Sequence, residues 1–111
     1  MSISKNGKTI SLKEINTGGY SHAEKLHGFI NNVVEIAQIK LSDLNAIAVS
    51  KGPGSYTGLR IGVSAAKGLC FALNIPLISI NTLESLTCSI SKKEGFIIPL
   101  LDARRMEVYT S

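Results

Sequence analysis

Eleven residues limit what this chain can fold into more than any other stretch: Gly52-Pro53-Gly54-Ser55-Tyr56-Thr57-Gly58-Leu59-Arg60-Ile61-Gly62. They follow Ala46-Ile47-Ala48-Val49, a short continuous apolar run of the kind seen in a strand buried on both faces. A helix is expected over 57–73, stopped by Asn74 and Pro76. Gly58, Gly62, Ala65, Ala66 and Gly68 then recur along that helix at spacings of about three to four. Glycine inside a helix costs about 1 kcal/mol relative to alanine. A helix this bare therefore needs a compensating close contact, with a sheet or with a partner's helix.

The loop itself supports two readings. Free amides at a helix start, with glycines allowing close approach, form an anion cradle. On that reading Gly52, Gly54, Ser55, Thr57, Gly58 and Arg60 hold phosphate or nucleotide. The other reading is structural: Gly52 and Gly54 permit a tight turn, and Ser55 or Thr57 caps the helix. The segment is not a Walker A loop, because no Gly-Lys-Ser/Thr follows at the required spacing. It is not GxGxxG either, because Gly58 falls one residue late.

On either side of the loop the pattern is strand and helix in alternation, which indicates an α/β sheet with helices packed on it. Asn6-Gly7 lies between residues 2–5 and 8–15 and signals a two-residue hairpin. Thr9-Ile10-Ser11-Leu12-Lys13 alternates as a half-buried strand does. Gly18-Gly19 marks a loop, and Ser21 with Glu24 fits a capping box. The helix that follows, over 22–38, carries Leu26, Phe29, Ile30, Val33, Val34 and Ala37 along one face. Further strands are expected over Pro76–Ile80, over Phe96–Leu101 with an edge or bulge at Pro99, and from Glu107. A helix is expected from Thr82 to about Ile90.

At 111 residues and 44% hydrophobic, the chain has the material for one small globular domain. No apolar run approaches the ~20 residues that cross a bilayer, and the N-terminus lacks the apolar core of a signal peptide, so the cytoplasm is expected. Cys70 and Cys88 are too few for a disulfide framework and read as structural thiols. The net charge is +4, but the lysines are dispersed, and the only tight basic pairs are Lys92-Lys93 and Arg104-Arg105. No basic stripe with interleaved aromatics stands out, so RNA contact is expected to be indirect.

Several blocks together resemble one family. Gly52 to Leu69 is similar to the signature of the TsaB family, which serves threonylcarbamoyladenosine synthesis on transfer RNA. His22-Ala23-Glu24-Lys25-Leu26, Leu44–Val49, Ile75–Leu83 and Leu101–Tyr109 resemble the family's neighbouring segments, so the likeness covers roughly 20–110. It implies an actin-like, Hsp70-like ATPase lobe of ribonuclease H-like type, a mixed sheet with helices. It also implies one N-terminal lobe over 1–111, truncated at both ends relative to the family.

The resemblance further implies a non-catalytic role beside TsaD, the catalytic paralogue. That protein carries two His four apart at a helix start, one face sharing one metal. Here Thr82 and Leu86 stand in those places, and neither replaces imidazole, so no metal site is expected. Catalytic residues are likewise expected to be none. His22 reads as a first-turn helix residue, Glu84 as a favourable charge at a helix start, and Asp102 equally as a site carboxylate or a turn cap. Protease activity lacks nucleophile, base and metal. By resemblance the chain dimerises, with itself or with a TsaD-like subunit, and a TsaE-like ATPase joins the wider complex. The expected interface is His22, Leu26, Phe29, Ile30 and Val33 with Gly58, Leu59, Gly62, Ala65 and Ala66. No cofactor is expected on that reading. The alternative is a nucleotide-binding ATPase lobe taking ATP or ADP at the Gly52–Gly58 loop.

Overall fold

The computed structural model describes residues 1–14, 22–91 and 94–111, which fall into two compact units, Met1–Asn45 and Ala46–Ser111. The Gly18-Gly19 loop and Ser21, the expected capping residue, lie outside the described residues.

The first unit opens with β1 (Ser2–Lys5) and β2 (Lys8–Leu12), an antiparallel hairpin turning on Asn6 and Gly7. Both turn residues have positive φ, 51° and 75°, as a type I′ turn requires. A bulge between Ile3 and Ser4 shifts the register. Helix α1 (His22–Ile36) packs on this hairpin, with Val33 only 2% exposed. A strand that alternates ordinarily buries its apolar side, but β2 does the opposite. Ser11 is 5% exposed, while Ile10 and Leu12 are open to solvent. The reason is a hydrogen bond: the Ser11 hydroxyl donates to the Val33 carbonyl at 2.8 Å, which satisfies a buried hydroxyl. A short 3-10 turn, Leu41–Asp43, ends the unit; the Asp43 carboxylate accepts from the Lys40 amide at 2.7 Å.

The second unit is built on a strand–helix–strand crossover. β3 (Ile47–Gly52) and β4 (Leu77–Asn81) pair in parallel, joined by α2 (Tyr56–Leu73). The register sets Ala48 beside Ile78 and Ser50 beside Ile80. Asn74 adopts the left-handed conformation and closes α2, its amide donating to the Cys70 and Phe71 carbonyls. The apolar run in β3 predicts burial on both faces, yet exposure alternates from Ile47 to Ser50. Helix α2 covers the side of Val49; Ala48, Ser50, Ile78 and Ile80 on the other side are exposed.

Helix α3 (Thr82–Cys88) starts directly from β4, ending slightly before the expected Ile90. Asn81 caps it, its side-chain oxygen accepting from the Leu83 and Glu84 amides at 2.9 and 3.4 Å. β5 (Leu100–Arg104) and β6 (Glu107–Thr110) form an antiparallel hairpin. The strand expected from Phe96 begins only at Leu100. Pro99 is buried immediately before it and has no N–H to enter a ladder. Among the described residues the ladders are therefore three pairs of strands, one parallel and two antiparallel. No described helix is long and apolar enough to cross a membrane.

Candidate functional site

Leu59 explains the loop between β3 and α2. Gly52 has φ +106°, and a Cβ placed there would stand 3.1 Å from the Leu59 Cδ1. One placed on Gly54 would lie 3.8 Å from the same atom. The turn closes over the first apolar side chain of α2, and glycine is what lets it pass. The Gly52–Pro53 peptide is cis. Ser55 then caps the helix. Its hydroxyl accepts from the Gly58 amide at 3.5 Å, a long contact, and its carbonyl accepts from the Leu59 amide at 2.8 Å.

Five of the six phosphate-loop candidates (Gly52, Gly54, Ser55, Thr57 and Gly58) thus share one turn. Gly52 and Gly54 are occupied with packing, and Ser55 with capping. The sixth, Arg60, lies one turn into α2, beside Tyr56. Its Nη1 donates to the Tyr56 hydroxyl at 3.3 Å, and its guanidinium carbon lies 5.4 Å from the centre of the Tyr56 ring.

Helix α2 has three distinct faces, roughly 120° apart at 3.6 residues per turn. One meets the sheet. Ala66 is 6% exposed, Cys70 is buried with its thiol 3.6 Å from the Pro76 carbonyl, and a Cβ on Gly62 would touch the Val49 Cγ2 at 3.9 Å. A second face carries Gly58, Ile61, Ala65, Gly68 and Ala72, at alternating spacings of three and four. Gly58, Gly68 and Ala72 are exposed, Ile61 and Ala65 half-buried, and nothing lies within 4 Å of where a Gly68 Cβ would sit. The third face holds Tyr56, Arg60, Ser64, Lys67 and Phe71, all exposed.

The interface candidates are therefore divided by the fold. On α2, Leu59, Gly62 and Ala66 are taken up inside their own unit, whereas Gly58 and Ala65 lie on the outward small-residue seam. On α1, Val33 is buried, Leu26, Phe29 and Ile30 are half-buried, and the His22 side chain lies outside the described residues. Gly68 is among the small residues noted in the sequence but not among its interface candidates, and Ile61 and Ala72 are in neither set, although the three–four spacing from Gly58 leads to each.

The start of α3 borders an open cleft of about 350 Å³ over β3 and β4, reaching from Ala48 and Val49 to Leu86. Ser50, Ile80, Thr82, Ser85 and Leu86 are among its lining. Thr82 and Leu86 share it because four residues is about one helical turn. The hydroxyls of Ser50 and Thr82 bond each other at 2.6 Å. This set does not fit a metal: Leu86 has no donor atom, and the two hydroxyls are engaged with one another. Glu84 lies in the first turn of α3, where a carboxylate favours the helix dipole. Asp102, read equally as a site carboxylate or a cap, does the second. Its Oδ1 accepts from the Arg104 amide at 2.7 Å and shapes the turn between β5 and β6.

Residues 16–111 match the family described as TsaD: tRNA N6-adenosine threonylcarbamoyltransferase. Over 90 residues the chain is 40% identical to the tRNA threonylcarbamoyladenosine biosynthesis protein TsaB of Bacillus subtilis, covering 81% of this chain and 39% of that one. It is 33% identical over 90 residues to TsaB of Escherichia coli, covering 79% and 39%. Among solved structures, YeaZ from Pseudomonas aeruginosa superposes with a TM-score of 0.82 at 30% identity, over 98% of this chain and 51% of that one. The chain thus spans about two-fifths of the length of these curated relatives. By the family match over 16–111, the identity to TsaB and the superposition on YeaZ, the chain belongs to the TsaD family, as a TsaB/YeaZ-like member with a mixed α/β, actin-like architecture.

Proposed function

We propose that this chain is a non-catalytic scaffold or activating subunit in the synthesis of N6-threonylcarbamoyladenosine on transfer RNA. It acts by pairing with a threonylcarbamoyltransferase-type paralogue, or with a second copy of itself when that paralogue is absent. A TsaE-like ATPase belongs to the wider complex. The observation that carries this reading is the mouth of the α3 cleft. Thr82 and Leu86 occupy the two positions, one turn apart, from which a pair of ligands would act together, and they bring a hydroxyl already bonded to Ser50 and a methyl-bearing side chain. The outward seam of α2 supports the pairing. Gly58, Ala65, Gly68 and Ala72 let another helix come close, and Ile61 supplies an apolar knob.

Size-exclusion chromatography with light scattering, on the chain alone and mixed with the paralogue from the same source, tests this. A dimer that converts to a mixed complex is expected. Gly68→Leu, which fills the seam, should weaken both associations while leaving circular dichroism unchanged. Gly62→Leu is a poor probe of the same idea, because residue 62 faces Val49 and the larger side chain would disturb the fold itself. A folded monomer that ignores the paralogue would overturn the proposal. Nucleotide binding at the Gly52–Gly58 loop is the alternative, and calorimetric titration with ATP and ADP would decide it.

A further inference from the structure

Within its own unit, the third face of α2 is exposed along its length, and it takes no part in the proposed pairing. Tyr56, Arg60, Ser64, Lys67 and Phe71 fall at i, i+4, i+8, i+11 and i+15 on an 18-residue helix, so they form one line. Tyr56 is 73% exposed and Phe71 92%. The line runs about 22 Å along the axis, with the two cations about 10 Å apart between the two rings. No residue of α2 is acidic. The whole chain is basic, with a net charge of +4 and a pI of about 9.2. The dispersed lysines hid this arrangement in the linear sequence; the helix brings it together.

We propose that this face binds single-stranded RNA. A helix docking there would need a continuous apolar seam at three–four spacing, and between the two aromatics the line offers only Arg60, Ser64 and Lys67. Two rings flanking two cations suit a single strand: bases stack on the aromatics and phosphates meet the charges. Arg60 is already held in place. Its guanidinium is seated against the Tyr56 ring, which leaves further N–H groups for a phosphate in a fixed fork. The line is long enough for a short run of nucleotides, within the ~4–16 that a single-strand site covers.

Fluorescence anisotropy with a labelled single-stranded RNA of about twelve nucleotides, read across a salt series, tests the proposal. Arg60→Gln with Lys67→Gln should flatten the log–log salt dependence by about 1.4, two phosphates at about 0.7 each for a single strand. Tyr56→Ala and Phe71→Ala should each weaken binding roughly tenfold with the slope unchanged. Lys8→Gln with Lys40→Gln removes the same charge from exposed positions off this face and should leave the slope as it is. Three results would overturn the proposal: no binding by the unaltered chain, an equal loss of slope in the control pair, or face variants that bind RNA normally yet weaken association on the sizing column. The last outcome would make the face a protein interface. Gly68→Leu lies about 120° away around the helix. It should leave RNA binding intact, so failure of this proposal and failure of the pairing proposal are distinguishable.

Discussion

Helices α1 and α2 are seated on their strands in different ways. Helix α2 meets β3 through small residues. Gly62 and Ala66 bring the backbones together, and the loop before the helix folds tightly over Leu59. Helix α1 meets its hairpin through a larger side chain, Val33, and through one hydrogen bond from Ser11 to the helix backbone. The first arrangement uses small residues for proximity and seats Leu59 under the loop that precedes the helix. The second relies on one apolar plug and a polar tether. A close seat fixes which faces of a helix remain free, whereas a looser one leaves its half-buried face adaptable.

The comparison breaks most easily at Gly52. A valine there combines a β-branched side chain with a φ of +106° and pushes into Leu59, whose Cδ1 is 3.1 Å from the added Cβ. Strain at such a φ costs about 1–3 kcal/mol, and overpacking adds a similar amount, so Gly52→Val should destabilise by about 4 kcal/mol. Urea denaturation followed by circular dichroism measures it. A loss under 1 kcal/mol would mean that the turn can reclose without glycine and that the close seat is not obligatory. Val33→Ala comes next, at about 2 kcal/mol, through the methyl groups removed from a nearly inaccessible site. If the two variants were equally mild, the distinction between the two seats would dissolve.

Much of this was legible in the sequence. The Asn6-Gly7 hairpin follows from turn chemistry, and the span of α2 follows from a glycine loop before it and Asn74 after it. The misreadings have particular causes. Alternation in β2 gives the period but not the side, because period alone cannot foresee that Ser11 finds a carbonyl on α1. The apolar run in β3 suggested two covered faces, and cover depends on which neighbours arrive. Pro99 delayed β5 by removing a donor that no count of apolar residues registers. For the candidate site, the absence of imidazole at Thr82 and Leu86 was plain from residue identity. Which residues of α2 face outward was not. Gly62 and Ala66 looked like an interface because small residues serve a sheet and a partner equally well, and only the position of Val49 separates the two.

The tether on α1 gives a smaller effect. Ser11→Ala removes the donor to the Val33 carbonyl, which still accepts the Ala37 amide at 3.0 Å. Because the acceptor keeps a partner, the cost should be about 1 kcal/mol, the net worth of one hydrogen bond, rather than the larger penalty of an orphaned group. A shift of the urea midpoint without a change in slope would carry that signature.

The smallest effect is the one in which the two demands on α2 separate. Gly68 lies inside the helix, is exposed, and has nothing within 4 Å of its missing Cβ. Alanine there removes backbone freedom from the unfolded chain and adds no clash, so Gly68→Ala should stabilise the isolated chain by about 0.5–1 kcal/mol. The same methyl group stands on the seam where another helix would approach. If the seam is used, the variant should be more resistant to urea and yet associate more weakly, with the two measurements moving in opposite directions. A gain in stability with association unchanged would mean that the partner does not come close at position 68, and the contact would then have to be sought toward Gly58 and Ile61. A loss of stability would mean that the helix is constrained there by something other than its own propensity.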